Sequence, residues 1–406
     1  MNKNFKKFLL LWSGELISSI GSGLTSFGLG VYIFNQTGSA ASMAIITLLG
    51  FLPSLLLSVI AGTLADRYDR RLLMILGDGL SALGILYILI SMLLGSLNIV
   101  KIGIGVSISS IFSSLLEPSY KATITDLLNK EDYSKASGLV NLAGSSKFLL
   151  SPVLAGLLLS VTKIETLLII DICTIFVTVL ATLVVRKSIE TKKIETNEGF
   201  FESIKNGFKA IKNKEGILPL IMVASVLTLF MGVFQVLAEP LILSFSNSKV
   251  LGICESLCAS GMLVSSILLG VKGIKRKYVK TLIISLTISG ISMSLFGIWE
   301  NIYLLSIFGF IFFLMLPFAN TCLDYLIRTN IDENMQGRAW GLIGNLSQIG
   351  YIFAYALSGI FADLIGTTFK IGVGRGAGVV IIVSGILLAI TSLSMTKIKS
   401  IKELEN

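Results

Sequence analysis

The chain has 406 residues, 53% of them hydrophobic and only 14% charged, with a mean hydropathy of +0.86. Soluble domains carry about 25% charged residues, so this composition excludes a water-soluble globular protein. It contains no histidine, the side chain most used as a general base near neutral pH, which weighs against an enzyme.

Apolar runs long enough to cross a bilayer, roughly 20 residues each, recur from end to end. They predict twelve spans, at 8–34, 43–65, 72–94, 100–121, 135–161, 166–186, 217–244, 250–271, 279–299, 302–327, 337–362 and 375–396. The first run is too long for a cleaved leader and leads straight into further spans. The longest polar stretch, Lys187 to Gly216, parts six spans from six. The expected organisation is an N-terminal bundle over 1–186, a cytoplasmic linker over 187–216 and a C-terminal bundle over 217–406. Within the linker, Phe200, Phe201, Ile204, Phe208 and Ile211 keep a helical period with lysines between them, the pattern of an amphipathic helix lying on a membrane surface.

The net charge of +9 raises the question of nucleic acid, and the placement of the charges answers it. With the amino terminus inside, 27 of the 33 basic residues fall in cytoplasmic segments, and the outer segments keep Lys101, Lys163, Lys249, Lys370 and Arg375. This is the positive-inside asymmetry, and it puts both termini in the cytoplasm. Cys173, Cys254, Cys258 and Cys322 all stand in apolar runs. Without histidine or a second cysteine pair they read as small buried hydrophobes rather than metal ligands. No cofactor is implied. No Gly-x-x-x-x-Gly-Lys-Ser/Thr stretch is present, so ATP is not the expected energy source, and the glycines from Gly372 to Gly378 read as an outer turn.

An internal repeat supports the two-bundle organisation. Lys135-Ala136-Ser137-Gly138-Leu139 opens span 5 and Arg338-Ala339-Trp340-Gly341-Leu342 opens span 11, at an offset of 203 residues that also matches Leu154 to Leu357 and Gly156 to Gly359. Packed membrane helices reuse small residues anyway. A basic residue, an alanine, a glycine and a leucine in register at two span starts make duplication the better account, and duplicated halves with a site between them are a common transporter plan.

The most specific motif follows span 2: Gly62-Thr63-Leu64-Ala65-Asp66-Arg67-Tyr68-Asp69-Arg70-Arg71. Gly62 allows close helix approach, and Asp66 can accept hydrogen bonds from a helix N-terminus. Arg67, Arg70 and Arg71 can reach carboxylates or lipid phosphates. An ordinary basic loop explains the arginines but neither Gly62 nor Asp66. The motif resembles the loop between spans 2 and 3 of the major facilitator superfamily. Its Asp-Arg-x-Asp-Arg-Arg form, with Asp69 where the family often has glycine, resembles the macrolide-efflux (drug:proton antiporter-3) branch. Trp12-Ser13-Gly14-Glu15 and Thr37-Gly38-Ser39 agree with that branch. Ser151-Pro152-Val153-Leu154-Ala155-Gly156 resembles an antiporter motif of span 5 that has lost glycines, Pro152 and Gly156 remaining. The resemblance implies an all-α fold of two pseudo-symmetric six-helix bundles in a bacterial cell membrane. It implies a monomer that moves a small molecule against protons, and a cytoplasmic latch in the loop after span 2.

Charges inside the bilayer cost roughly 2.5–3.5 kcal/mol each on insertion scales and mark function by default. The spans that the resemblance places around a central cavity each hold an acid: Glu15, Glu117, Glu239 and Asp324 in spans 1, 4, 7 and 10. Serines keep helical spacing with two of them, Ser18 and Ser22 with Glu15, and Ser113 with Glu117; Gln235 shares a face with Glu239. Tyr351 and Tyr355 of span 11 and the aromatics from Phe308 to Phe318 are cavity candidates, with packing the alternative. Asp78, Asp171 and Glu255 stand nearer span ends and read as structural. Lys147 lies about 18 Å beyond the basic start of span 5 and needs a carboxylate partner. The expectation is a charge group of Glu15, Glu117 and Lys147 in which one carboxylate carries the coupling proton. The substrate would be bulky and partly apolar. A nutrient or lipid symporter of the same fold is the alternative, and a transport-inactive sensor is a weaker one.

Overall fold

The computed structural model describes residues 3–129, 132–187, 216–274, 277–331 and 336–405, which are helical throughout, with no strand among them. In chain order they form α1 (Lys3–Thr37), α2 (Ala40–Arg67), α3 (Arg70–Leu93), α4 (Ile99–Ser113), α5 (Leu116–Leu127), α6 (Tyr133–Leu149), α7 (Ser151–Val161) and α8 (Ile164–Arg186). After the polar stretch come α9 (Ile217–Leu243), α10 (Ser248–Lys272), α11 (Tyr278–Ile298), α12 (Ile302–Thr329), α13 (Gln336–Thr368), α14 (Val373–Ser394) and the short α15 (Lys399–Glu403). Twelve stretches among the described residues are long and apolar enough to span a bilayer, which makes this a polytopic all-α membrane protein. The amphipathic segment expected at 200–211 lies outside the described residues.

Two spans are each built from two helices. Ile99–Leu127 combines α4 and α5, and Lys135–Val161 combines α6 with α7. Proline accounts for both breaks, because it lacks the N–H that would bond the carbonyl four residues back and its ring crowds that carbonyl. Pro118 frees the carbonyl of Ser114, and the amide of Leu115 turns to Phe112 in a tighter bond of 3.1 Å. Pro152 does the same to Phe148, and the chain turns at Leu150.

The chain divides into two compact units, one of Met1–Gln36 with Ile46–Asn197 and one of Thr37–Ile45 with Glu198–Asn406. In the first, polar bonds fix α1 among its neighbours. The indole Nε1 of Trp12 donates to the carbonyl of Leu139 at 2.6 Å, Ser151 Oγ to that of Ile20 at 3.1 Å, and Thr178 Oγ1 to that of Gly14 at 3.0 Å. Below them Phe8, Leu11, Met74, Tyr120, Leu127, Leu128, Ala136 and Val185, from five helices and the residue after α5, close into a buried apolar cluster. In the second unit α9 packs on α13 and α14, α10 on α12, and α11 on α12 and α14. The α11–α14 seam is backbone against backbone: a Cβ added at Gly290 would stand 2.6 Å from the carbonyl oxygen of Gly385. Phe234 fills the centre, its ring 4.6 Å from those of both Phe296 and Phe312. Phe312 is therefore packing, the alternative weighed for the span 10 aromatics.

Candidate functional site

The first unit gathers the buried charge. Asp171 on α8 is fully buried, and both its carboxyl oxygens are without a hydrogen bond. Its neighbour on α1 is Thr25, itself buried with an unpaired hydroxyl. One turn before Thr25, Gly21 opens the space, since a Cβ there would stand 3.0 Å from Asp171 Oδ1. Gly23 does the same for the lysine, as a Cβ at that position would come within 3.2 Å of Lys147 Cγ. Lys147 sits in the last turn of α6, just before the Pro152 break, and faces the charges of Asp171 first and Glu15 second. Asp78 on α3 is 3% exposed with one oxygen unpaired, and it feels both Glu15 and Asp171. The buried, unpaired hydroxyl of Tyr120 on α5 also faces Glu15. Five helices thus bring three carboxyls, one ammonium and one phenol together.

The apolar cluster forms the floor of this group. Leu11 precedes Glu15 by four residues and Met74 precedes Asp78 by four, so both apolar side chains lie about 6 Å, one helical turn, away along the same helix faces. Tyr120 belongs to both layers, its ring in the floor and its hydroxyl among the charges.

Glu117, which the sequence placed in this group, is near enough to act on Glu15 but is not buried with it. Its side chain is 76% exposed and bonds Lys121 at 2.6 Å, one turn along α5. The expectation carried the helical spacing of Ser113 and Glu117 across the α4–α5 junction as one continuous helix. The Pro118 break changes the phase there, and the Glu117 side chain is exposed. Asp171 and Asp78 take the places beside Lys147 and Glu15. The signal that could have found them is a charge count, because a span lysine that needs a carboxylate had two further span acids to choose from.

The serines act locally. Ser22 Oγ donates to the Ser19 carbonyl at 3.3 Å and Ser113 Oγ to that of Ser110 at 3.2 Å, while Ser18 is half-buried. In the second unit Tyr355 donates its hydroxyl to Gln235 Oε1 at 2.9 Å and Tyr351 donates to the Met231 sulfur at 3.3 Å, so these three side chains fasten α13 to α9. Glu239 keeps one buried, unpaired oxygen and has Glu255 as a charged neighbour. Asp324 is exposed near the end of α12, one turn before Arg328. Pro152 and Gly156 are both buried in α7.

The loop after α2 is a compact polar knot. Asp69 caps α3 by accepting from the Arg71 amide at 3.1 Å, and its other oxygen accepts from Arg186 Nε at 2.7 Å. Arg70 donates to the Ala65 carbonyl at 3.0 Å and the Ala122 carbonyl at 3.2 Å, and pairs with Asp126 at 2.6 Å. Arg71, 2% exposed, reaches the second Asp126 oxygen at 3.3 Å. These bonds tie the ends of α2, α3, α5 and α8, all in the first unit. Arg67 is exposed. Gly62, expected to let a helix approach, faces open space, with nothing within 4 Å of an added Cβ. The side chain of Asp66 lies outside the described residues.

Twelve spans and a buried charge group inside one helical unit are features expected of a membrane transporter. The profile of the Major Facilitator Superfamily matches residues 11–354, and the chain belongs to that family. It is 27% identical over 368 residues to Macrolide efflux protein A of Streptococcus pyogenes, covering 89% of this chain and 90% of that one. It is also 27% identical over 320 residues to Macrolide efflux protein A of Enterococcus faecalis, covering 77% of this chain and 98% of that one. Among solved structures the nucleoside transporter NupG superposes with a TM-score of 0.78 at 15% identity, over 96% of this chain and 99% of that one.

The knot makes a specific expectation. Arg70→Ala and Asp126→Ala should each lower the thermal stability of the purified protein. The double variant should fall short of the sum by about 1–3 kcal/mol, as for partners in one part-buried network. Strict additivity in this cycle means that the pair carries no mutual stabilisation.

Proposed function

We propose that the chain is a proton-coupled exporter of a bulky, partly apolar compound, with the charge group of the first unit as its proton site. The observation that carries this reading is the imbalance of three acids, Glu15, Asp78 and Asp171, around the single ammonium of Lys147. Fully ionised, the group holds two uncompensated negative charges in a place where each costs several kcal/mol. Two bound protons make it neutral, and release of one leaves a charge that favours reopening to water. Proton number and access are then linked, because a ligand or proton shifts a conformational equilibrium only by its different affinity for the two states. Both buried oxygens of Asp171 are without a hydrogen bond, and we assign it the moving proton. Lys147 serves as the fixed countercharge, and Glu15 and Asp78 set the local field.

Efflux of macrolide-like compounds is the reading that the two relatives support by their names. Closure by the knot after α2 is part of the proposal, as is a cytoplasmic placement of both termini. The 27 basic residues in the segments on that side support that placement.

Two experiments follow. In proteoliposomes with an imposed pH gradient, Asp171→Asn should cut uphill efflux of a labelled macrolide at least about tenfold, equivalent to 1.4 kcal/mol. Downhill equilibration of the same compound should persist. Glu15→Gln should weaken coupling less severely. Full uphill efflux by Asp171→Asn contradicts the proton assignment. For topology, a cysteine placed at Gly38 should react with an impermeant maleimide in intact cells, whereas a cysteine tag after Asn406 should not. Labelling of that tag from outside overturns the orientation.

A further inference from the structure

The segment after α14 folds back onto the second unit, within which all of the following contacts lie. In α15 Ile401 is fully buried, and Leu404, just after the helix, is 4% exposed. Asn330, the residue after α12, donates its Nδ2 to the Leu404 carbonyl at 2.8 Å and to that of Leu326 at 2.9 Å. Gly216, just before α9, lies against the same segment. Its φ of +100° suits glycine, and a Cβ there would stand 2.5 Å from the Ser400 carbonyl oxygen. With Ile401 and Leu404 held inward, Lys402 and Glu405 are exposed.

The anchored segment completes a groove beside α11. Ser392 Oγ, near the end of α14, donates to the Ile283 carbonyl at 2.7 Å and so fixes that end of α14 on the first turns of α11. Between α11 and the segment after α14 lies a groove of about 550 Å³. Val279, Ile283 and Ile284 supply its apolar lining, and Ile284 is 46% exposed. Lys280, Lys402 and Glu405 supply its charges, and all three are exposed. Glu405 Oε2 accepts from the Val279 amide at 3.4 Å, which holds the carboxylate at the first turn of α11. Neither lysine has an ion-pair partner among the described residues. The groove also stands where spans end, since the span Tyr278–Ile298 begins there and the span Val373–Lys397 finishes there. An apolar lining that runs into a span, with ammonium groups at its end, offers a place for each part of a phospholipid.

We propose that this groove binds an anionic phospholipid of the phosphatidylglycerol type, with the phosphate between Lys280 and Lys402 and an acyl chain along Ile283 and Ile284. Charge selects among the lipids. Two lysines and one glutamate leave the groove with one net positive charge, which one phosphatidylglycerol neutralises and a zwitterionic lipid does not. The head-group hydroxyls of phosphatidylglycerol donate to the carboxylate of Glu405, so the acid among the lysines is used rather than opposed. The lysine stems lie along the apolar lining while their ammonium groups stay at head-group level. A lipid seated there joins α11 to α15 and steadies the second unit.

The test uses the full-length protein, stripped of lipid in a non-ionic detergent and titrated with dioleoylphosphatidylglycerol. Retained lipid is counted by native mass spectrometry and the melting midpoint is followed in parallel. Phosphatidylglycerol should bind saturably and raise the midpoint, and phosphatidylcholine and phosphatidylethanolamine should do neither. Lys280→Gln combined with Lys402→Gln should weaken phosphatidylglycerol binding at least about tenfold, as expected for the loss of two lysines facing an anionic head group. Arginine at both positions, which keeps the charge, should retain it. Lys249→Gln combined with Lys370→Gln removes the same charge from exposed lysines elsewhere and should leave binding unchanged. Equal weakening by that control pair overturns the proposal, as does equal retention of the zwitterionic lipids. Displacement of the lipid by soluble glycerol 3-phosphate also overturns it, because the site then recognises a free phosphate rather than a lipid.

Discussion

A carboxylate taken from water into a bilayer must find a cation or take up a proton, and the first unit gathers three acids around one lysine. Little else in that unit is independent of this requirement. Gly21 and Gly23 place α1 against Asp171 and the stem of Lys147 where a larger residue would push them away. Trp12, Ser151 and Thr178 hold α1 at that distance through backbone carbonyls. The apolar floor of Phe8, Leu11, Met74 and Val185 keeps the low dielectric that makes the charge count matter.

The proline breaks do related work at two levels. At Pro118 the break sets the phase of α5, which carries Tyr120 into the buried layer and leaves Glu117 exposed beside Lys121. At Pro152 it ends α6 just after Lys147, and Ser151 bonds back to α1 at 3.1 Å. Half-helices that end at a buried charge are a recurring means of building sites at membrane depth, because the freed backbone groups are satisfied by protein rather than by lipid. The second unit is built on another principle, backbone contact through glycine and stacked aromatic rings, with Glu239 as its main buried acid.

The spans were legible because a bilayer imposes one length and one composition on every helix that crosses it. The predicted run 217–244 and the observed Ile217–Leu243 differ by a single residue. The loop after span 2 was legible as a motif, but not its partner: Asp126 lies 56 residues from Arg70, and only the fold brings the two to 2.6 Å. The buried charge group was half legible. Glu15 and Lys147 stood out as charges within spans, whereas Asp171 and Asp78 were read as structural because depth was counted from the nearest span end. Such counting sees one helix at a time and not which neighbours share that level. The exposure of Glu117 was not legible for the complementary reason, since its periodicity was carried through a break that proline creates.

The account turns on whether the buried acids of the first unit hold protons that a single ammonium leaves them needing. Infrared difference spectroscopy on the purified transporter, taken across a pH step, reports protonated carboxyl groups directly through their carbonyl stretch. The account predicts such a band at neutral pH in the native protein, diminished in Asp171→Asn and strengthened when Lys147→Met removes the countercharge. A native protein without any protonated carboxyl band at neutral pH, or a band that neither substitution alters, would contradict it.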